Sequence, residues 1–116
     1  DESTMHNMYE ITKVMQEILN IVKYYFQVEF KEEDVYYYRF VTHLKFFAKR
    51  LVEHNNYEDD NNDDLFDMIR QKYAKSYHCV ERITAFLTKK YGHPMSKEEQ
   101  LYLTIHIERA IHKTQS

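Results

Sequence analysis

Histidine has the side chain whose ordinary pKa lies nearest neutrality, so its ring nitrogen is available as a base, a ligand or a nucleophile. This sequence of 116 residues has seven histidines, and two of them sit in suggestive patterns. At helical spacing Tyr36, Arg39, His43, Phe46 and Arg50 fall on one stripe, so two guanidinium groups bracket an imidazole beside two aromatic rings. Arginine forks hold the oxygens of a phosphoryl dianion bidentately while a neutral imidazole nitrogen attacks phosphorus. The same residues also read as solvated cations, with Phe46 in a second packing or dimer seam, and the helical wheel alone favours that plainer reading. His106 lies in the run Tyr102-Leu103-Thr104-Ile105-His106-Ile107-Glu108-Arg109, with Arg109 on an adjacent face. In so apolar a segment its imidazole must find a partner, as a satisfied core histidine or as part of a site.

The remaining histidines carry less. His6, His54, His93 and His112 fall near the start of the chain, a polar loop, a helix junction and a last helical turn, where solvated or capping imidazoles are expected. His78 beside Cys79 forms neither a zinc box nor a nucleophile with an orienting third group. Were His43 and His106 to face one cleft, no HExxH pattern or third ligand accompanies them, so neither a metal nor a cofactor is expected. The nearby hydroxyls, Thr42 and Thr104, have no base-and-orienter partners and no Gly-rich oxyanion loop, which argues against an enzyme. The acidic stretch Glu58, Asp59, Asp60, Asp63, Asp64 lacks the Gly and closing Glu of a calcium loop and reads as solvated.

Helices must position these groups. Met8, Ile11, Met15, Ile18, Val22 and Tyr25 predict a first helix over about residues 6 to 27, and Tyr37, Phe40, Val41, Leu44, Phe47, Ala48 and Leu51 a second to about residue 54. After a polar loop from Asn55 to Asp64, Leu65, Phe66, Ile69 and Tyr73 mark a short third, with Asp63 or Asp64 as its cap. Val80, Ile83, Leu87 and Tyr91 give a fourth, stopped by Gly92 in the left-handed conformation and by Pro94. Ser96 and Glu99 form a capping box for a fifth, apolar around most of its circumference through Leu101, Leu103, Ile105, Ile107, Ala110 and Ile111.

Composition agrees. One Gly and one Pro leave too few turn residues for an all-β chain, so the expected class is all-α, a compact antiparallel five-helix bundle forming a single domain over residues 1–116. A net charge of −3 does not suit a nucleic-acid backbone, so no direct nucleic-acid contact is expected. The lone cysteine and the absence of an apolar run of ~20 residues point to a cytoplasmic, membrane-free protein. A first residue that is Asp, without a signal pattern, suggests a piece of a longer chain.

The segments Arg39 to Leu51 and Tyr102 to Arg109 resemble the two histidine motifs of the PTS regulation domains found in the BglG, SacY and LicT family of bacterial transcription antiterminators. The resemblance begins at Ile11 to Ile18, reaches the last helix, and is nearest to the second, C-terminal copy of that domain. It implies a helical regulatory module that forms a homodimer and is phosphorylated on histidine by phospho-HPr, with a sugar-specific EII component as a further partner. It also implies control of RNA antitermination by a separate N-terminal RNA-binding domain. His43 and His106 match the phosphoacceptor positions, with Arg39, Arg50 and Arg109 placed to contact phosphate. The competing reading is a purely structural dimerisation module whose core or interface histidines are never modified.

Overall fold

A computed structural model describes residues 2–55 and 63–115. Five helices and no strand are present among them: α1 (Glu2–Phe26), α2 (Val35–Val52), α3 (Asp63–Lys72), α4 (Ala74–Tyr91) and α5 (Lys97–Gln115). The all-α, five-helix class expected from the sequence is the one observed. No helix among the described residues is long and apolar enough to cross a membrane. The helices fall into two compact units, α1 with α2 and α3 with α4 and α5.

In the first unit α1 packs on α2. The buried row of α1 is Val14, Ile18, Val22 and Phe26, spaced by four, whereas the sequence pattern pointed to Met8, Ile11, Met15, Ile18, Val22 and Tyr25. Only Ile18 and Val22 are common to both, and Met8 stays 63% exposed. The reason is geometric: a neighbouring helix meets an inclined ridge of residues four apart, not a seam parallel to the axis. On α2 the buried residues are Phe40, Leu44, Phe47, Ala48 and Leu51, all anticipated. Asp34 caps α2, its side chain accepting from the Tyr36 N–H at 2.8 Å. In the link Phe30 stacks on Tyr37 with centroids 4.8 Å apart. Both helices end on residues in the left-handed region, Gln27 at φ 55° and His54 at φ 59°. There the following N–H groups, of Val28 and Asn55, close back on Lys23 O at 3.2 Å and Arg50 O at 2.9 Å.

In the second unit α3 and α4 pack on α5 and on each other. The residues Glu58, Asp59 and Asp60, expected to form an acidic loop, lie outside the described residues, and Asp63 and Asp64 belong to the first turn of α3. Acids there face the positive end of the helix dipole, which favours extending the helix over them. Lys97 Nζ donates to Asp63 Oδ1 at 2.9 Å and lies over the Phe66 ring, joining the start of α5 to α3. On α4, Ser76, Cys79, Val80, Ile83 and Leu87 are buried. Gly92 takes φ 63° as expected, its N–H donating to Thr88 O at 3.1 Å. The α5 core consists of Leu101, Leu103, Thr104, Ile107, Ala110 and Ile111.

Candidate functional site

His43 projects from the middle of α2 and is half-buried, on a flank beside the Phe40, Leu44, Phe47 row. Arg39, one turn earlier, is exposed, and its guanidinium lies 5.9 Å from the centre of the Tyr36 ring. A cation over an aromatic face is held there by the ring quadrupole, so Arg39 leans toward the start of the helix. Arg50 is half-buried, with Nε and Nη2 shielded from solvent. Phe46 on the same stripe is 51% exposed, while Tyr36 is half-buried. The helix carries Arg39, Lys45, Lys49 and Arg50 and no acid, so α2 is itself a cationic helix in a chain whose net charge is −3. Such a setting suits an incoming phosphoryl group.

His106 belongs to the second unit. It is half-buried on α5, where the Tyr102 ring, one turn earlier, meets it edge to face at a centroid distance of 4.6 Å and an interplanar angle of 67°. Arg109 is exposed. Glu108 accepts a hydrogen bond from the Ser76 hydroxyl of α4 at 2.9 Å, and Ser76 is itself buried. The position four residues before His43 is thus held by Arg39, turned toward Tyr36, and the one before His106 by an aromatic ring in contact with it, so the two imidazoles differ in their preceding turn.

Of the histidines expected to be solvated or capping, His6, His54 and His112 are exposed, but His93 is not. It is buried in the α4–α5 junction with Nε2 3.0 Å from Glu99 Oε2. The capping box forms as the sequence predicts, Ser96 Oγ accepting from the Glu99 N–H at 3.1 Å and Glu99 Oε1 from the Ser96 N–H at 3.0 Å. That reciprocity leaves the second carboxylate oxygen to His93. The one available signal was the short reach from His93 across Pro94 to the box. His78 pairs instead with Glu81, Nδ1 to Oε1 2.7 Å, on an exposed face of α4. Cys79 is buried, and burial pushes its thiol up to about 12 despite the opposing charge of Arg82. No group of three or more His, Cys, Asp or Glu side chains among the described residues is placed to hold a metal ion. A cleft of about 610 Å³ at the end of α1 is lined by Asn20, Lys23, Tyr24, Gln27, Val28 and Glu29 and involves neither candidate histidine.

Comparison with known proteins adds a family. The PRD domain family model matches residues 16–110. The chain is 51% identical over 107 residues to the transcription antiterminator LicT of Bacillus subtilis, an alignment covering 92% of this chain and 38% of that protein. It is 44% identical over 108 residues to the beta-glucoside operon antiterminator of Dickeya chrysanthemi, covering 93% and 38% respectively. Protein GlcT of Staphylococcus aureus is 27% identical over 107 residues, covering 92% and 37%. The chain thus spans under two fifths of the length of these relatives.

Proposed function

The chain belongs to the PRD domain family, and from that premise we propose that it is the second, C-terminal regulatory copy of a bacterial transcription antiterminator, phosphorylated on His43 and His106 by the sugar phosphotransferase system. In this reading residues 1–116 act as one regulatory domain of a longer protein whose RNA-binding part lies elsewhere. The observation that carries the reading is that the histidines of both family motifs are half-buried, neither sealed in a core as His93 is. Phospho-HPr is the main donor, and a sugar-specific EII component a second protein partner.

Transfer requires no added catalyst on this chain. The lone pair of a neutral imidazole nitrogen attacks the phosphorus of the donor's phosphohistidine, and a new N–P bond forms as the donor's N–P bond breaks. The bonding pair returns to the donor nitrogen, while each ring keeps the proton on its other nitrogen. Arg39, Arg50 and Arg109 supply the nearby cations that contact the transferred group. The product carries roughly −2 of new charge at a half-buried position, which shifts a dimer interface poised between two packings by a few kcal/mol. RNA antitermination by the parent protein follows the state of that dimer.

The test is intact-protein mass analysis, under alkaline conditions that preserve phosphohistidine, after incubation with enzyme I, HPr and phosphoenolpyruvate. Wild type is expected to gain phosphate, and His43→Ala and His106→Ala each to lose one acceptor. A folded chain that takes up no phosphate, or one whose uptake survives the double substitution, refutes the assignment and leaves a structural dimerisation module.

A further inference from the structure

We infer that Tyr102 is a positioning residue for His106, holding the imidazole in the orientation from which it accepts a phosphoryl group. The inference rests on the reading of His106 as an acceptor. The two rings lie 4.6 Å apart at 67°, near the short limit, about 4.5 Å, at which aromatic pairs meet. Both residues are half-buried on one helix at i, i+4 spacing, so the backbone of α5 itself builds the contact. That backbone is anchored on both sides of the pair, by the Ser96 and Glu99 box at the start of the helix and by the Ser76 bond to Glu108 beyond it.

Phosphoryl transfer asks for this kind of restraint. The attacking nitrogen, the phosphorus and the departing nitrogen of the phosphohistidine donor must lie nearly in line, and an imidazole free to turn presents its lone pair for only part of the time. A neighbouring ring steeply inclined to the imidazole favours one orientation through the match of ring edge to ring face. Leucine at position 102 fills space without that directional preference, whereas phenylalanine keeps it and removes only the hydroxyl. His43 supplies an internal control, because the residue one turn before it is Arg39, whose guanidinium lies over Tyr36.

The experiment follows phosphorylation of the chain by enzyme I, HPr and phosphoenolpyruvate, with alkaline peptide mapping to resolve His43 from His106, in wild type, Tyr102→Leu and Tyr102→Phe. Tyr102→Leu is expected to slow uptake at His106 roughly three- to tenfold while leaving His43 unchanged, and Tyr102→Phe to restore the wild-type rate. In parallel, the His106 ring C–H resonances carry a ring-current displacement in wild type and Tyr102→Phe that disappears in Tyr102→Leu. Equal rates at His106 in wild type and Tyr102→Leu overturn the inference, as does a loss shared equally by His43, or Tyr102→Phe as slow as Tyr102→Leu. Wild type that takes phosphate on His43 but none on His106 refutes the acceptor assignment beneath the inference, and does so before any change at Tyr102.

Discussion

Removing the Glu99 side chain is expected to be among the most damaging single polar substitutions in the second unit. The residue is 3% exposed and its two oxygens serve different partners, Oε1 the Ser96 N–H and Oε2 the His93 ring, each at 3.0 Å. Glu99→Ala dissolves half of the capping box, which costs about 1 kcal/mol. It also strips the buried Nε2 of His93 of this partner, which costs a further ~1–3 kcal/mol. The expected total is about 2–4 kcal/mol, a large fraction of the ~5–15 kcal/mol by which domains are stable. Glu99→Gln keeps an oxygen for the Ser96 N–H and offers its amide N–H to His93, whose tautomer can change to accept it, so the loss shrinks to about 1 kcal/mol. Urea unfolding followed by circular dichroism reads both variants as shifts in midpoint at constant slope. The reasoning fails if Glu99→Ala loses less than about 0.5 kcal/mol, or if Glu99→Gln is as damaging as Glu99→Ala.

Other substitutions probe the packing and the helix ends. Phe47→Ala, at a fully buried position, is expected to lose about 3–5 kcal/mol, and Phe46→Ala, 51% exposed, under about 1 kcal/mol; comparable urea midpoints for the two would contradict the burial pattern. Gln27→Gly and His54→Gly relieve left-handed backbone at φ 55° and 59°, a gain partly offset by the freer unfolded glycine, so each is expected to raise stability by roughly 0.5 kcal/mol. A lowered melting temperature would show that the side chains contribute more than the backbone loses. Folding raises the Cys79 thiol from 9.0 to about 12 and also raises the Tyr37 and Tyr77 hydroxyls. The folded chain then holds these protons more tightly than the unfolded one, so their contribution is complete below about pH 9 and drains away as pH climbs toward 12. Cys79→Ala is expected to flatten the alkaline fall in melting temperature, and an unchanged profile would contradict the assignment. At pH 8 a thiol reagent should modify the native chain only as fast as the chain opens.

Much of this structure is legible in the residues that interrupt helices. Gly92, Pro94 and the Ser96 to Glu99 box mark the α4–α5 junction by local chemistry alone, and the structure has each in its expected role. The buried row of α1 was less legible because apolar residues surround more than one stripe of that helix, and the choice of Val14 and Phe26 over Met15 and Tyr25 depends on the approach of α2. His93 was misread for a similar reason. Its burial comes from packing around the junction, and the free oxygen of Glu99 becomes visible only once the box has formed. The contact between Tyr102 and His106 is implicit in their i, i+4 spacing, but a wheel does not say which way two rings turn.

The Ser76 bond to Glu108 bears on how the second unit can move. Apolar faces tolerate sliding, since one methyl group serves nearly as well as the next, and helix pairs can in principle ratchet by a turn of about 5.4 Å. Between α4 and α5 such a step would pull a buried hydroxyl from its carboxylate at one place and the His93 ring from Glu99 at another. With a polar pin at the junction and another some way along the pair, only one register satisfies both. A displacement that keeps both bonds must therefore carry α4 and α5 together, and not let one slip along the other.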